Sequence, residues 1–273
     1  MSPRFMTILA ILFLIVLTSL YLLVKFIERS SVFYPGKLIH TTPASVGLAY
    51  EDIFISTSDG VKINGWFVKS AVQPASTIIF AHGNAGTIGE RILKVKFWHD
   101  MGCNILIFDY RGYGKSEGHP SEKGIYLDAL AVYDYLQTRS DIDHARIIAY
   151  GASLGGAVVV DLATKRKLAA LMVESSITSA ADMARRLYPS LPAFFMSIKF
   201  DSIGKIGKIT VPKIFMHSRE DHIVPFEMGR KLYEKAKEPK AFLEIYGGHY
   251  EGGIVHDFRV KEGLKQFLQK YSL

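Results

Sequence analysis

The stretch G-A-S-L-G at residues 151–155 constrains the fold of this chain more than any other part of the sequence. The apolar run at 147–150 before it is typical of a strand, and the small aliphatic residues at 156–163 after it are typical of a packed helix. A serine at such a junction, with glycine two positions away on either side, is the pattern of a residue held on a sharp strand-to-helix turn. A chance G-x-S-x-G in a glycine-rich loop is the alternative, and the flanking strand and helix argue against it.

The two glycines have a steric cause. A serine at the apex of so tight a turn takes a strained backbone conformation, and side chains at positions 151 and 155 would clash with their neighbours. The Ser153 hydroxyl then projects above the sheet at the start of a helix, where free backbone N–H groups and the helix dipole favour negative charge. Ser153 is therefore the candidate nucleophile, and the N–H of Leu154 is the first candidate donor to an oxyanion.

Composition narrows the classes of fold and partner. With 273 residues, 49% of them hydrophobic and 22% charged, the chain is long enough for one large α/β domain or at most two small ones, and one is the better expectation. Cys103 is the single cysteine, so no internal disulfide forms and stability must come from an apolar core. The net charge of +7 comes from scattered basic residues, without an arginine-rich helix or zinc-site spacing. We therefore expect no nucleic-acid partner and no metal, and an anionic lipid surface suits the charge better.

The N-terminus contains an apolar segment long enough to cross a bilayer. Residues 5–24 include no charged side chain and are mostly Leu, Ile, Phe and Val, each of which favours insertion by roughly 0.3–0.6 kcal/mol. A cleaved signal peptide is the alternative, but the apolar core is longer than usual for one and no A-x-A-like cleavage site follows it. We expect a single-pass membrane protein with an anchor over 1–27 and a linker over 28–49. Basic residues are nearly balanced at the two ends of the anchor, so the positive-inside rule favours neither orientation.

Residues 50–273 read as one domain in which short apolar runs alternate with amphipathic stretches. A hairpin over 50–69, around Asp59 and Gly60, opens this region. The alternation that follows predicts a mainly parallel central sheet flanked by helices. In such sheets the sites form at the carboxyl ends of the strands, so reactive side chains are expected there.

An acid and a histidine each follow one of the last predicted strands. A serine hydroxyl is a weak nucleophile until a base takes its proton, and the base needs an acid to orient it and stabilise its charged form. We assign these roles to Ser153, His249 and Asp221, in that order. Glu174, also at a strand end, is the main rival for the acid, and Glu220 is a lesser one.

The loop H-G-N-A-G at 82–86 follows another buried strand. A loop in that position can turn a backbone N–H toward the reaction centre. We assign this second oxyanion donor to Asn84, with Ala85 as the alternative. His82 is interpreted as a residue that fixes the loop, because a better-placed histidine comes later in the chain.

The segment D-Y-R-G-Y-G-K-S-E-G at 109–118 follows the next predicted strand. Its three glycines, with aromatic and charged neighbours, predict a structured surface loop. We interpret Asp109 and Arg111 as a structural salt bridge within this loop rather than as a catalytic pair.

Residues 176–209 differ from the rest of the domain, because they combine two prolines with a dense apolar run flanked by lysines. One interpretation is an ordinary helix and loop that cover the edge of the sheet. The other is a small cap that lines an acyl pocket near the membrane. The candidate pocket residues are Leu191, Phe194, Phe195 and Met196.

Together, five motifs resemble the α/β-hydrolase superfamily: H-G-N-A-G at 82, Y-R-G-Y-G-K-S-E-G at 110, G-A-S-L-G-G at 151, D-H-I-V-P at 221 and G-G-H at 247. The order Ser, Asp, His matches that family, and the resemblance covers roughly residues 50–273. It implies an α/β-hydrolase fold and hydrolysis of an ester or thioester through an acyl-enzyme, with no metal or organic cofactor. The first two motifs look like a membrane-associated branch that includes protein depalmitoylases and lysophospholipase-like enzymes. That branch has an N-terminal cysteine cluster where this chain has an apolar span, so general esterase activity is the better-supported expectation.

The sequence thus predicts a membrane-anchored serine hydrolase of carboxylic esters or thioesters. A lipid or acylated substrate is favoured, because the anchor places the site at the bilayer and each buried methylene of an acyl chain contributes about 0.8 kcal/mol. Among enzymes, the alternative is a peptidase of the same fold. From a different class, the alternative is a membrane-tethered binding or scaffold protein that does not catalyse a reaction. No pattern in the sequence indicates an oligomeric state.

Overall fold

The structure of the protein is a computed structural model that describes residues 2–190, 196–249 and 253–273, and all of their side chains except those of 29, 30 and 256. The described helices are α1 (Pro3–Ser31), α2 (Ile92–Asp100), α3 (Glu122–Thr138), α4 (Leu154–Ala163), α5 (Ala180–Leu187), α6 (Ser202–Ile206), α7 (Phe226–Lys235), α8 (Gly253–His256) and α9 (Phe258–Lys270). The described strands are β1 (Tyr34–Pro35), β2 (Glu51–Ser56), β3 (Lys62–Val68), β4 (Thr77–Ala81), β5 (Ala85–Gly86), β6 (Asn104–Phe108), β7 (Ile147–Ala152), β8 (Ala170–Glu174), β9 (Lys213–Ser218) and β10 (Lys240–Ile245). Short 3-10 turns lie at Pro43–Val46, Ile88–Arg91 and His144–Arg146.

The large sheet has the strand order β10-β9-β8-β7-β4-β6-β3-β2. Strands β4 and β6 to β10 run parallel, whereas β3 pairs antiparallel with both β2 and β6. The mainly parallel sheet predicted from the sequence is therefore confirmed, and the predicted hairpin is β2 and β3. Because parallel strands end at one edge of a sheet, the segments after β4, β7, β9 and β10 emerge on the same side of the molecule.

Both faces of the sheet are covered by helices. Ile79 and Leu106 face a cluster that includes side chains of α3, α4, α6 and α7. Their neighbours Ile78 and Ile105 face a second cluster that includes side chains of α2 and α9. Successive side chains of a strand point to opposite faces, so strands buried on both sides need the continuous apolar runs seen in this sequence.

Helix α1 is long, apolar and mostly exposed. Its N-terminus is capped by Ser2, whose hydroxyl accepts a hydrogen bond from the N–H of Phe5. The segment Pro3–Glu28 has a mean hydropathy of 2.8, and by length and composition it could cross a membrane or serve as a signal sequence. At 1.5 Å per residue the whole helix is roughly 44 Å long, more than the thickness of a bilayer core. It ends at Ser31, inside the stretch that the sequence suggested as a linker.

The rest of the predicted linker packs against the domain. Strand β1 pairs in parallel with β5, which belongs to the loop after β4. The N–H of Tyr34 donates to the Asn84 carbonyl at 2.9 Å, and the N–H of Gly36 donates to the Gly86 carbonyl at 3.0 Å. Further on, Leu48 is buried in the cluster on the α2 side of the sheet. These contacts satisfy backbone groups that a free linker would leave to water.

The segment between β8 and β9, predicted as a small cap, contains α5 and α6. The residues just before α6 are held by Glu122 at the start of α3. Its carboxylate accepts from the N–H groups of Lys199 and Phe200 at 2.6 and 2.8 Å. Of the four pocket residues predicted there, Met196 is described and is half-buried. The others, Leu191, Phe194 and Phe195, lie outside the described residues.

Candidate active site

The serine of the G-A-S-L-G turn lies between the end of β7 and the start of α4, as the sequence predicts. Ser153 has φ 55° and ψ −120°, a positive-φ conformation that costs energy for a residue with a side chain. The neighbouring glycines make the turn possible. A Cβ on Gly151 would collide with the carbonyl of Gly155, and one on Gly155 would collide with the carbonyl of Ala81 in β4. Close contact between the turn and the neighbouring backbone therefore excludes larger residues at both positions.

A continuous chain of hydrogen bonds joins the three residues that the sequence singled out. His249 Nε2 lies 3.0 Å from Ser153 Oγ, and His249 Nδ1 lies 2.7 Å from Asp221 Oδ2. Asp221 follows β9 and His249 follows β10, so the sheet brings the three together at the carboxyl edge of its strands. This is the geometry in which a carboxylate orients an imidazole and the imidazole accepts the proton of a serine.

Several groups hold Asp221 in its anionic form. Its Oδ1 accepts from the N–H of Ile223 at 3.0 Å and of Val224 at 2.8 Å. Burial by itself raises the pKa of Asp221, but hydrogen bonds from His217, His249 and the Val224 N–H outweigh burial and hold that pKa well below its usual range. Asp221 is therefore a carboxylate, able to accept a hydrogen bond from His249, throughout the neutral range.

His217 supports this acid and was not recognised from the sequence. Its Nε2 lies 2.9 Å from the Val224 carbonyl, so that nitrogen carries the proton, and 3.5 Å from Asp221 Oδ2. The imidazole is buried at the end of β9. Its position four residues before Asp221 was the available signal, but spacing alone does not separate a supporting histidine from a core histidine.

The two rival acids have other partners. Glu174 Oε1 binds Lys94 Nζ at 2.7 Å, and its Oε2 accepts a very short hydrogen bond from the Tyr150 hydroxyl. Glu220 Oε2 accepts from the N–H of Gly247 at 2.9 Å. Glu174 nevertheless supports the turn through its backbone, because its carbonyl accepts from the Ser153 N–H at 2.8 Å.

The loop after β4 borders the serine. A Cβ on Gly83 would lie 3.5 Å from the Ser153 Cβ, which shows how closely this loop approaches the nucleophile. Asn84, Ala85 and Leu154, the candidate oxyanion donors, line the same cavity as Ser153. Their assignment as donors stays a prediction.

Contacts from two other segments, the one after α1 and the loop after β6, hold Asn84 in place. Its carbonyl accepts from the Tyr113 hydroxyl at 2.7 Å and from the Tyr34 N–H at 2.9 Å. Its side-chain amide donates to the Val32 carbonyl at 3.3 Å. The segment after α1 therefore contributes directly to the position of this loop.

His82 lies beneath the loop rather than in the reaction centre. Its Nδ1 is 2.7 Å from the Gly83 carbonyl, and its ring packs on Tyr110 with ring centroids 4.4 Å apart. The Tyr110 hydroxyl donates to the His82 carbonyl at 2.7 Å. Burial, with a smaller contribution from the charge of Arg91, lowers the pKa of His82 to about 3, so the ring is neutral. These contacts agree with its interpretation as a loop-fixing residue.

The salt bridge predicted between Asp109 and Arg111 is wrong. The Arg111 guanidinium instead binds Asp59 at 2.8 Å and Asp128 in α3 at 2.8 Å. The reason is a gap in the surface of α3: a Cβ on Gly124 would collide with the Cδ and Nε of Arg111. The absence of that Cβ lets the arginine side chain run along α3 to Asp128.

Asp109 is buried, and it does not form the ion pair with Arg111 that the sequence predicted. Its Oδ1 accepts from the N–H of Ile88 at 3.0 Å and lies 3.6 Å from His82 Nε2. Burial raises the pKa of Asp109 to about 7, although the Ile88 N–H partly opposes this shift. The pair of His82 and Asp109 is therefore neutral over most of the acidic range.

A mostly apolar cavity of about 590 Å³ opens beside Ser153 and His249. Its size lies within the range of roughly 300–1,000 Å³ that is typical of small-molecule sites. Besides Ser153, Leu154 and His249, the described lining comes from four regions: the end of α1 with the segment after it, the loop after β4, the turn after β9, and the predicted cap. Met196 lines the cavity, and its assignment to a substrate pocket stays a prediction. Within residues 2–190, 196–249 and 253–273, no group of His, Cys, Asp or Glu side chains is arranged to hold a metal ion.

Comparison with known proteins agrees with this architecture. Residues 72–204 match the family model described as serine aminopeptidase, S33. The chain is 37% identical to the α/β hydrolase domain-containing protein WAV2 of Arabidopsis thaliana, over 94% of this chain and 92% of that protein. It is 35% identical to α/β hydrolase domain-containing protein 17B of Xenopus tropicalis, over 81% of this chain and 75% of that protein.

Among solved structures, an esterase from Pyrococcus furiosus is similar in fold, with a TM-score of 0.72. The match covers 88% of this chain and 98% of the esterase at 22% identity, so it shows the shared fold alone. The order of elements, the strand-turn-helix around Ser153 and the relatives of known family all agree. The chain therefore belongs to the α/β-hydrolase superfamily.

Proposed function

We propose that this protein is a membrane-anchored serine hydrolase that cleaves the ester or thioester bonds of lipid or acylated substrates. The observation that carries this proposal is the hydrogen-bonded chain from Asp221 through His249 to Ser153, in the wall of a mostly apolar cavity. A nucleophile, a base and an orienting acid in this arrangement are the side chains that acyl transfer needs.

In the proposed reaction Ser153 Oγ attacks the acyl carbonyl carbon while His249 Nε2 takes the hydroxyl proton. The carbonyl oxygen becomes an oxyanion that accepts from the N–H groups of Leu154 and Asn84, each worth about 3–4 kcal/mol of transition-state stabilisation. His249 then returns the proton to the departing alcohol or thiol, which leaves the acyl group on Ser153. A water molecule, deprotonated by His249, then attacks the acyl carbonyl carbon. The bond from that carbon to Ser153 Oγ breaks, His249 returns the proton to Oγ, and the acid leaves. Asp221 orients the imidazole and stabilises its cationic form throughout.

The lining of the cavity supports an acyl substrate. Apolar side chains such as Ile177, Met183, Leu187 and Val224 make up most of the described wall. Each methylene that leaves water contributes about 0.8 kcal/mol, so a chain bound there gains affinity with its length.

A peptidase is the second candidate, because the matching family model is described as a serine aminopeptidase. An aminopeptidase would need a carboxylate to bind the ammonium group of its substrate. Among the described lining residues that carboxylate could only be Glu28, which is already bound to Lys25 and to N–H groups of residues 197 and 198. Ester hydrolysis is therefore the better-supported reaction.

The proposal is tested with full-length protein in detergent, by hydrolysis of p-nitrophenyl butyrate and by labelling with a fluorophosphonate probe. S153A should lose labelling and nearly all hydrolysis, and D221N should lose about 10⁴-fold in kcat because the imidazole loses its orienting anion. E174Q is the matched control at the rival acid and should keep most of its activity, since Glu174 bonds Lys94 and Tyr150.

Three results would contradict the proposal. Full hydrolysis by S153A would remove Ser153 as the nucleophile. Faster cleavage of aminoacyl amides than of esters would favour the peptidase. Folded wild-type protein that the fluorophosphonate does not label would favour a binding or scaffold protein.

A further inference from the structure

One wall of the cavity beside Ser153 is made by the N-terminal helix. Val24, Ile27, Glu28 and Ser31 of α1 all line it, together with Ser153 and His249. Val24 is only 4% exposed although it belongs to the apolar span itself. The segment that could cross a membrane and the reaction centre therefore share one cavity.

A single face of α1 makes these contacts. The less exposed positions in its second half include Leu17, Leu20, Val24 and Ser31, spaced three, four and seven residues apart. In contrast, Leu22, two residues before Val24 and therefore on the opposite side of the helix, is 60% exposed. Residues with this spacing lie on one side of a helix, so α1 has a domain-facing side and an outward side.

A buried carboxylate holds α1 in this position. Glu28 is 4% exposed. Its carboxylate accepts from the N–H of Ser197, from the Ser197 hydroxyl at 3.0 Å and from the N–H of Ile198 at 2.9 Å. Lys25 Nζ neutralises it at 2.7 Å. The bonds join α1 to the predicted cap, 169 residues away in sequence.

Apolar residues of α1, of α5 and of the turn that carries Ser153 line the same cavity. They are Val24 and Ile27 on α1, Met183 and Leu187 on α5, and Leu154 beside Ser153. A bilayer around the apolar part of α1 would therefore bring a hydrocarbon chain to the wall that Val24 and Ile27 form.

We infer that α1 is part of the acyl-binding site, and that the substrate is a single-chain lipid ester whose acyl chain slides from the bilayer along Val24 and Ile27 to Ser153. The inference rests on the proposed serine hydrolase. Val24 and Ile27 are then specificity-determining residues, and Glu28 is a positioning residue that keeps them against the cap. A single chain suits one cavity of about 590 Å³, and an aliphatic lining suits a lipid better than the polar backbone of an acylated peptide.

The experiment compares substrates in full-length protein reconstituted in phosphatidylcholine vesicles. The readout is the ratio of kcat/KM for monopalmitoylglycerol to kcat/KM for p-nitrophenyl butyrate, with an S-palmitoylated peptide as a third substrate. V24W fills part of the cavity and should lower the ratio at least about tenfold, the equivalent of two methylenes excluded. L22W places the same side chain at a neighbouring, outward position and should leave the ratio unchanged.

Glu28 is tested in the same assay. E28A should lower the ratio mainly by raising KM for monopalmitoylglycerol, because the wall shifts while the triad stays in place. If Glu28 were needed only for folding, E28A would instead lower the fraction of protein that the fluorophosphonate labels. The ratio measured for the labelled fraction would then be unchanged.

The outcomes separate the two claims. If V24W and L22W give the same ratio while both are labelled, the inference is overturned and the serine hydrolase stands. If wild-type protein hydrolyses none of the three substrates, the proposed function itself fails. Faster turnover of the palmitoylated peptide than of monopalmitoylglycerol overturns the lipid substrate. If V24W loses labelling, the same ratio is measured with I27W, at the half-buried neighbouring position.

Discussion

At the scale of single residues, the environment of Ser153 explains why its neighbours are so restricted. Its positive φ persists because β4, β8 and the start of α4 surround the turn, with Gly155 against the Ala81 carbonyl. The N–H of Ser153 donates to Glu174 and the hydroxyl meets His249, so backbone and side chain are both fixed. A nucleophile held this way loses little orientation entropy on reaction.

Asp109 and His82 form a second constrained pair at this scale, beneath the loop that carries Asn84. Burial shifts the pKa of Asp109 from 3.8 to about 7. A raised carboxyl pKa means that the native state holds a proton that the unfolded state has lost, so the contribution of Asp109 to stability falls as pH rises between about 4 and 7. At 1.36 kcal/mol per pKa unit, this one group accounts for about 4 kcal/mol over that window.

We expect D109N to reduce this pH dependence. The amide keeps an acceptor for the Ile88 N–H and cannot ionise. The free energy of unfolding of D109N should therefore decrease less than that of the wild type as pH rises to 8. The measurement is denaturant unfolding of the full chain in detergent at pH 4, 6 and 8, followed by near-UV circular dichroism. Equal pH dependence in wild type and D109N would show that Asp109 does not titrate in this window.

At the scale of elements, α7 is fitted to the strand that supplies the acid. Gly229 of α7 faces the imidazole of His217 on β9, and a Cβ there would collide with His217 Nδ1. His217 in turn contacts Asp221 and the Val224 carbonyl. The packing of one helix is therefore linked to the geometry of the triad through a single buried ring.

We predict that G229A destabilises the protein and lowers its activity. Alanine would gain about 1 kcal/mol in helix propensity, but overpacking against a buried ring costs typically 1–3 kcal/mol, and displacement of His217 disturbs Asp221. The control is G207A, whose Cβ would meet its nearest atom, the Lys235 carbonyl oxygen, at an ordinary 3.4 Å. Thermal unfolding and p-nitrophenyl butyrate hydrolysis measure both effects, and G229A behaving like G207A would refute the link.

At the scale of the whole molecule, the exposed surface is divided sharply between α1 and the domain. Large apolar side chains are exposed along α1 from Phe5 to Phe26, whereas those of the domain are exposed singly. An apolar surface of this length in water would drive association, and a bilayer would cover it. The proposed anchor would hold the cavity at the membrane surface, since α1 also lines the cavity.

We therefore expect the chain to stay in the membrane at full length. After expression, alkaline carbonate should leave the protein in the membrane pellet, and its intact mass should include residues 1–27. A signal peptide would give a shorter mass and a protein released from the pellet, because cleavage would remove the apolar segment. That result would also remove Val24 and Ile27 from the mature site.

The sequence by itself determined which polar side chains stand at the strand ends. Glycine spacing around Ser153 and the alternation of apolar runs are local properties, so the turn, the parallel sheet and the positions of Asp221 and His249 could be predicted without coordinates. The preference for Asp221 over Glu174 could be ranked, but its basis lies in contacts with residues distant in sequence. The contact between His249 and Ser153 spans 96 residues, and no local pattern encodes it.

Only the tertiary structure decided what each side chain meets. Arg111 turns to Asp128 because Gly124 leaves space on another helix, and Asp109 is left buried next to His82. The apolar N-terminal run predicts insertion into a membrane, but its composition does not identify the side of the helix that packs against the domain. Its place in the wall beside Ser153 follows from Glu28 binding residues 197 and 198, a contact that depends on how the whole chain packs.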